Sequence, residues 1–154
     1  HDCLDLAIRD LADALNSLPN AIYGHFESKF VLQQELVDHI LDAAFTDDVV
    51  RATLDDSTPW QERFRAAGCV MFEVTSHYRG LGPLLSYHGT GSTSRAMQLI
   101  PAMVSLLMQS GLCEKRAATL LQVAVTYINS MGEMDALFKA SVTDRSAFLD
   151  KFNA

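Results

Sequence analysis

The stretch from about Glu114 to Lys139 constrains the fold most, because its pattern predicts one long helix that is apolar on two faces. The first face carries Ala117, Leu121, Ala124, Ile128 and Met131, and the second carries Leu120, Val123, Tyr127, Met134 and Leu137. A helix that is apolar on two faces must be covered twice. In a chain of 154 residues the second cover is available from another copy of the same helix, so we expect a homodimer. The segment from Arg145 to Ala154 is expected to complete a four-helix bundle between the two copies.

Composition favours a soluble, globular and mainly helical protein. Hydrophobic residues make up 49% of the chain and charged residues 20%, with 4 Pro and 8 Gly, which is too apolar for disorder and too poor in helix breakers for an all-β sandwich. No segment contains the ~18 uninterrupted apolar residues that a membrane span needs. Cys3, Cys69 and Cys113 match no zinc or redox spacing, which suits a reducing cytoplasm.

A helix-turn-helix pattern occupies the first 46 residues. Apolar residues at 8, 11, 12 and 15 predict a short helix from Ile8 to Leu15. The break at residues 16–20 follows, because Asn16 tolerates the left-handed conformation and Pro19 fits the first turn of a second short helix. Ser28 is placed to cap a third, longer helix, and a loop rich in Asp, Ser and Thr is expected to follow that helix between Thr46 and Pro59. Spacing alone also allows an ordinary helical hairpin, which does not bind DNA.

Charge argues against DNA binding. The formal net charge is -7, with an isoelectric point near 5.0. The only basic residues between positions 1 and 46, apart from histidine, are Arg9 and Lys29. The acidic residues in the same range are Asp2, Asp5, Asp10, Asp13, Glu27, Glu35, Asp38 and Asp42. Nucleic-acid-binding domains are usually basic, so a DNA-binding interpretation has to overcome this imbalance.

The segments Ile8–Leu15 and Pro19–Lys29 closely resemble the DNA-binding signature of the tetracycline-repressor family. The spacing from Ala12 to Tyr23, and on to the pair Ser28–Lys29, fits that signature without a gap. Beyond this motif, the chain matches the family only in the number and order of its helices. The resemblance implies an all-α protein with an N-terminally incomplete DNA-binding domain at residues 1–46 and a ligand-binding and dimerisation domain at residues 47–154. It also implies that a first helix, commonly preceded by basic residues, lies upstream of His1.

The resemblance further implies which side chains meet the DNA. The helix from Pro19 to about His25 would be the recognition helix, with Asn20 and Ala21 at base edges. Tyr23, His25, Lys29 and Arg9 would contact phosphates. The full set of expected contacts is Arg9, Leu18, Pro19, Asn20, Ala21, Tyr23, Gly24, His25 and Lys29. Four apolar residues, Leu11, Leu15, Ile22 and Phe26, are expected to form the core of this domain.

The sequence departs from the family pattern in the turn. Asn16–Ser17–Leu18 stands where the family usually has Gly-Val-Ser, and Ala7 replaces the usual threonine at the start of the first short helix. Leu18 therefore removes the usual capping hydroxyl. Because of these changes, the operator sequence and the exact geometry of the turn are not expected to follow from the family pattern.

The second domain is predicted to hold a pocket between three helices, at about Trp60–Tyr78, Arg95–Gln109 and Glu114–Lys139, with a flexible loop at residues 89–94. Its methionine and aromatic residues fit either a plain core or an adaptable apolar pocket. The candidate pocket residues are Phe64, Met71, His77, Met103, Thr126, Tyr127 and Met131. With few charges on the inward faces, the effector is expected to be mostly apolar.

Nothing in the sequence favours enzymatic chemistry. His25, His39, His77 and His88 lie in separate segments without metal-ligand spacing, and the loop at 89–94 lacks the lysine of a phosphate-binding loop. We therefore expect no enzymatic activity, no metal and no cofactor.

Three functions stay open at this point. The favoured one is a cytoplasmic, homodimeric regulator, a repressor in the first instance, that binds a palindromic operator in double-stranded DNA and is released by a small molecule. The second is a helical ligand-binding or dimerisation module whose helix-turn-helix has lost its DNA affinity, as the acidic first 46 residues suggest. The third, an enzyme, needs a constellation of side chains that the sequence does not show.

Overall fold

A computed structural model of the chain describes residues 8–88 and 95–152, and every regular element in those ranges is an α-helix. The helices are α1 (Ile8–Ala14), α2 (Pro19–His25), α3 (Lys29–Ala44), α4 (Asp47–Leu54), α5 (Trp60–His77), α6 (Leu81–His88), α7 (Arg95–Met108) and α8 (Glu114–Phe152). The expected all-α fold class is confirmed. The expectations for Cys3, Ala7 and the loop at 89–94 lie outside the described residues.

Local signals set the first three helices as expected. Asn16 adopts a positive φ of 49°, and the N–H of Ser17 donates to the carbonyl of Ala12 at 2.8 Å, which closes the end of α1. Pro19 is the first residue of α2. The hydroxyl of Ser28 accepts a hydrogen bond from the N–H of Val31 at 3.2 Å and so caps α3.

Helix α4 was not expected, because the sequence pattern around residues 46–58 indicates a polar loop. Thr46 caps this helix by accepting from the N–H of Val49 at 3.5 Å. Asp47 and Asp48 occupy its first turn, where negative charge favours the positive end of the helix dipole. The same Asp and Thr residues that indicate a loop therefore also start a short helix.

Helix α8 continues beyond the expected end at Lys139 and reaches Phe152, so the expected separate segment from Arg145 is wrong. Residues 140–144 contain no glycine or proline. The hydroxyls of Ser141 and Thr143 donate to the carbonyls of Phe138 and Lys139, at 2.8 and 3.0 Å, so both hydroxyls are satisfied within the helix.

The buried side chains form one small and one large cluster. The small cluster joins the first three helices through Ala12, Ile22 and Leu32, with Leu11 and Phe26 packed against it. Leu15 was expected in this core, but its side chain is 63% exposed. It lies just past the end of α1, beside the left-handed Asn16, and there the chain has already turned away from the cluster.

The large cluster is built around α8. It collects side chains from α3, α5, α6, α7 and α8, and α8 makes its most extensive contacts with α5. None of the described helices is both long enough and apolar enough to cross a membrane.

Gly132 allows α5 and α8 to approach closely. A Cβ at this position would overlap Thr75 Oγ1, and it would lie 2.7 Å from Thr75 Cβ and 3.1 Å from the backbone nitrogen of Ser76. Thr75 is fully buried, and its hydroxyl donates to the carbonyl of Met71 at 2.9 Å. Because Thr75 is branched and hydrogen-bonded, it has little freedom to move aside.

We therefore expect Gly132→Ala to lower the free energy of unfolding by at least about 1 kcal/mol, since overpacking a tight contact outweighs the gain in helix propensity. Urea unfolding at a fixed protein concentration measures the change. Gly68→Ala is the matched control in the same helix pair, because its Cβ would meet only the end of the Ile128 side chain at 3.3 Å. Equal stability of the two variants would contradict the close-packing account.

Candidate nucleic-acid interface and ligand cavity

The outer face of α2 is exposed over the small cluster. Ile22 points into that cluster, whereas Asn20, Ala21 and Gly24 are exposed and Tyr23 is 53% exposed. The helix therefore divides into a buried side that fixes its position and an open side. The major groove of DNA is wide enough to admit an α-helix that has one side free in this way.

Nearly all of the expected DNA-contact residues lie at the surface. Arg9, Leu18, Asn20, Ala21, Tyr23, Gly24, His25 and Lys29 are exposed, and Pro19 is half-buried. The structure places them on α1, on the turn that follows, on α2 and at the first residue of α3. Exposed Asp13 and Glu27 lie on the same segment, so the local acidity noted in the sequence persists at this surface.

A cavity of about 650 Å³ lies among α5, α7 and α8, and it also borders Phe45 and α6. Its lining consists of Phe45, Phe64, Ala67, Gly68, Met71, Leu85, Ser86, Ala96, Met97, Leu99, Ile100, Met103, Val104, Ala118, Leu121, Gln122, Ala124, Val125, Thr126, Ile128 and Asn129. Within the part of the chain that the structure describes, no charged residue lines it. The exposed lining residues Met97, Ile100, Ala118, Gln122 and Thr126 mark its open rim.

The structure gathers four of the seven pocket candidates in this cavity: Phe64, Met71, Met103 and Thr126. His77 lies elsewhere, in a smaller depression between α3 and α5, with its ring 4.7 Å from that of Tyr78. Tyr127 is 64% exposed on the outer face of α8, and Met131 is half-buried outside the cavity lining.

Asn129 is a lining residue that was not singled out from the sequence. Its side chain is 6% exposed, and its Oδ1 atom is buried without a hydrogen-bond partner among the described residues. A signal was available: position 129 follows Leu121 and Val125 at intervals of four residues and so places a polar amide on an apolar helical face.

The outer face of α8 remains uncovered in the single chain. Its exposed apolar residues are Leu120, Val123, Tyr127, Met134, Leu137, Phe138 and Val142. On the opposite face, Ala117 and Leu121 are buried against the large cluster. The sequence-based expectation of a helix with two apolar faces, one of them open in the single chain, is confirmed.

Asp42 and Arg95 connect the helix-turn-helix to the cavity wall. The backbone N–H of Arg95, the first residue of α7, donates to Asp42 Oδ1 at 2.7 Å, and Arg95 Nη1 donates to the carbonyl of Asp42 at 3.0 Å. Arg95 Nε also pairs with Asp47 Oδ1 at 3.1 Å. Because α3 follows α2 directly, these contacts join the segment that carries the expected DNA contacts to the start of a helix that lines the cavity.

Among the described residues, no group of three or more His, Cys, Asp or Glu side chains could hold a metal ion.

Comparison with known proteins identifies the fold. Neither a search of protein-family models nor a search of curated proteins gives a match. Among solved structures, the chain is similar to a single-residue variant of TetR from Acinetobacter baumannii AYE in complex with minocycline, with 19% identity and a TM-score of 0.64 over 98% of this chain and 82% of that one. It is also similar to BioQ with its natural double-stranded DNA operator, with 19% identity and a TM-score of 0.70 over 96% of this chain and 85% of that one. The chain has the tetracycline-repressor fold.

We expect the cavity to admit an uncharged apolar dye such as Nile red, whose emission rises in apolar surroundings. Val125→Trp and Ile100→Trp should each weaken dye binding at least about threefold, because an indole ring fills part of the cavity that these residues line. Ala66→Trp on the exposed side of α5 is the control and should leave binding unchanged. Identical dye titrations for all three variants would show that the dye does not enter this cavity.

Proposed function

We propose that the chain is a ligand-responsive transcription regulator, a homodimeric repressor that binds a palindromic operator in double-stranded DNA and is released by a small, mostly apolar effector. The exposed face of α2, held over its own buried cluster, is the observation that carries this proposal. Its fold, similar to that of BioQ with its DNA operator, supports the same assignment.

The chemistry of the exposed side chains fits DNA contact. Asn20 can exchange hydrogen bonds with a base edge, and Ala21 can contact a thymine methyl group. Tyr23 and His25 can donate to phosphate oxygens. Lys29 is the first residue of α3, so its positive charge and the positive end of the helix dipole can attract the same DNA phosphate.

The overall negative charge restricts the strength of this contact without forbidding it. Only the surface that meets phosphate needs to be positive, and on the described segment Arg9 and Lys29 are the permanent cations. We therefore expect affinity to rest on few phosphate contacts, with a correspondingly modest salt dependence.

A second copy covers the outer face of α8 in this proposal. A contiguous apolar surface of this kind is an aggregation liability on a monomer, and two-fold pairing buries the same surface on both copies. Pairing through α8 also brings two α2 helices to one operator, where half-sites lie about one DNA turn of 34–36 Å apart.

Effector binding is coupled to DNA through α7 and α3. A ligand in the cavity contacts α7, and the Asp42–Arg95 contacts pass a displacement of α7 to the helix that follows α2. The ligand shifts the equilibrium only by its differential affinity for the two arrangements, commonly ~1–3 kcal/mol.

A module that has lost its DNA affinity is the second candidate. Exposed Asp13 and Glu27 favour it, because they repel phosphate beside α2. The two candidates share the cavity and the dimer, so only DNA binding separates them.

DNA binding is tested by selection from random oligonucleotides, which should enrich an inverted repeat. Lys29→Ala should weaken binding to every sequence and reduce the slope of log affinity against log salt by about 2, since each lost phosphate contact contributes about 0.9 and the dimer loses two. Asn20→Ala should change the preferred sequence and keep the slope. Lys115→Ala, at the exposed start of α8, is the charge-matched control. A folded chain that enriches no sequence would remove the regulator proposal in favour of the second candidate.

Dimerisation is tested by sedimentation equilibrium at micromolar concentration, where the chain should have twice its monomer mass. The double variant Val123→Glu/Tyr127→Glu should be monomeric, because two like-charged groups per subunit would be buried in the apolar interface. Leu54→Glu adds one such charge at an exposed apolar residue on α4 and should remain dimeric. A monomeric parent chain would rule out the proposed interface.

A further inference from the structure

The interior of the cavity between α5, α7 and α8 is lined by hydrocarbon. Its buried apolar lining residues are Phe45, Ala67, Met71, Leu85, Ala96, Leu99, Met103 and Leu121. No charged side chain lines the described cavity. A charged or hydrogen-bonding ligand group placed among these residues would lose its hydration and gain no partner. The interior therefore favours a ligand's apolar part.

The polar side chains of the lining are found mainly where the cavity meets water. Among the described lining residues with polar side chains, Ser86, Gln122 and Thr126 are exposed, whereas the amide oxygen of Asn129 is buried. Gln122 and Thr126 are four residues apart, so they lie on the same side of α8. The α8 side of the rim is therefore polar.

The rim has an apolar side as well, which α7 provides. Met97 and Ile100 of that helix line the cavity and are 40% and 38% exposed. Because the exposed residues that mark the rim come from α7 and α8, the cavity opens between these two helices. A ligand that passes through this opening contacts methionine and isoleucine on one side and an amide and a hydroxyl on the other.

We propose that the effector is an amphiphile with a single polar end, whose apolar chain fills the cavity and whose polar end stays in water at the rim beside Gln122 and Thr126. This inference rests on the proposed function and adds the chemical class of the ligand. The cavity volume of about 650 Å³ lies within the ~300–1,000 Å³ range of pockets that hold drug-sized ligands.

The Gln122 side chain is the rim group best able to adjust to the polar end of a ligand. The Thr126 hydroxyl donates to the carbonyl of Gln122 at 2.8 Å, within the helix. Gln122 Nε2 donates to Thr126 Oγ1 at 3.4 Å, a long contact that restrains the exposed amide only weakly. The amide carries both a donor and an acceptor, so it can pair with a carboxylate, a hydroxyl or an amide.

The rim is distinct from the apolar face that we propose for dimerisation. Gln122 and Thr126 each precede a residue of that face, Val123 and Tyr127, by one position, which is about 100° around an α-helix. A second copy packed on Val123 and Tyr127 therefore lies beside the polar side of the rim, and the polar end of the ligand keeps its water.

Two other ligand classes fit this cavity less well. A molecule with a polar group at each end would have to bury one of them among apolar side chains. A wholly apolar molecule that reaches the rim would cover polar groups there without pairing them. A single polar end avoids both costs.

The first test compares decanoate with decanedioate, which has the same chain length and a second carboxylate. Each is titrated into the whole chain by isothermal calorimetry, below the concentration at which it forms micelles. Decanoate should bind at least about thirtyfold more tightly, because the second carboxylate of decanedioate would lose its hydration in an interior without a counter-charge. Val125→Trp, which fills part of the cavity, should weaken decanoate binding.

The second test places a charge at the rim. Gln122→Lys should strengthen decanoate binding about threefold and Gln122→Glu should weaken it about threefold, because a charge next to the carboxylate is only partly screened by water and salt. The order should reverse for decyltrimethylammonium, and 1-decanol should bind all three proteins equally. Gln109→Lys is the matched control, the same change at an exposed glutamine outside the cavity lining, and should leave decanoate binding unchanged.

Each measurement can overturn the proposal. Absence of decanoate binding, equal affinities for decanoate and decanedioate, or decanoate binding that ignores Val125→Trp would show that the chain does not occupy the cavity with one polar end outside. An affinity for decanoate that does not respond to charge at position 122 would show that the polar end is not at this rim. None of these measurements involves DNA, so their failure is separate from failure of the regulator proposal, which the oligonucleotide selection decides.

Discussion

The close contact between α5 and α8 at Gly132 positions the elements on which the proposed function depends. The absence of a side chain at Gly132 lets the backbone reach Thr75, and polar pairs reinforce the same region. Ser76 donates to Asp135, and Lys139 binds both at 2.7 and 2.6 Å, so that Lys139 and Ser76 hold the pKa of Asp135 below its usual value. Both oxygens of Glu133 accept from the N–H of Gly80, at 3.0 and 2.9 Å. These contacts fix the part of α8 from Gly132 to Lys139 against α5 and the start of α6.

The cavity lies along the preceding part of the same helix. Its α8 residues fall between Ala118 and Asn129, just before the glycine contact. There α5 and α7 provide the other walls, and the space among the three helices is left open. The outer face of this same stretch carries Val123 and Tyr127, so one helix separates the ligand from the proposed second subunit. A ligand that displaces α8 would change the packing at the proposed dimer interface. A ligand that displaces α7 would change the contacts of Arg95 with Asp42.

What the sequence could predict depends on how far apart the deciding residues are. The helix ends at Asn16, Pro19 and Ser28 were predictable because each is decided by one or two neighbouring residues. The polar run at 46–58 was ambiguous, because Asp and Thr both favour loops and start helices. The continuation of α8 past Lys139 was missed because Ser141 and Thr143 are weak helix formers, and the hydrogen bonds that satisfy their hydroxyls within the helix appear only in the structure.

The cavity was predictable in outline and not in detail. The three helices that enclose it follow from their apolar stripes, but its depth depends on contacts between residues far apart in the sequence. Helical phase already assigned Tyr127 to the outer face of α8, and the structure places it there. The burial of Asn129 required the structure, since an asparagine on a helix is ordinary until its amide oxygen is buried without a partner among the described residues.

The most direct measurement is the distance between the two α2 helices in the proposed dimer without ligand. A spin label at Ala21→Cys, in a chain whose native cysteines are replaced by serine, reports it by double electron-electron resonance. The proposed dimer should give a distribution centred at about 34–36 Å, so that both helices reach successive turns of the major groove on one side of the operator. The absence of dipolar coupling, or a distance that one DNA turn cannot accommodate, would contradict it.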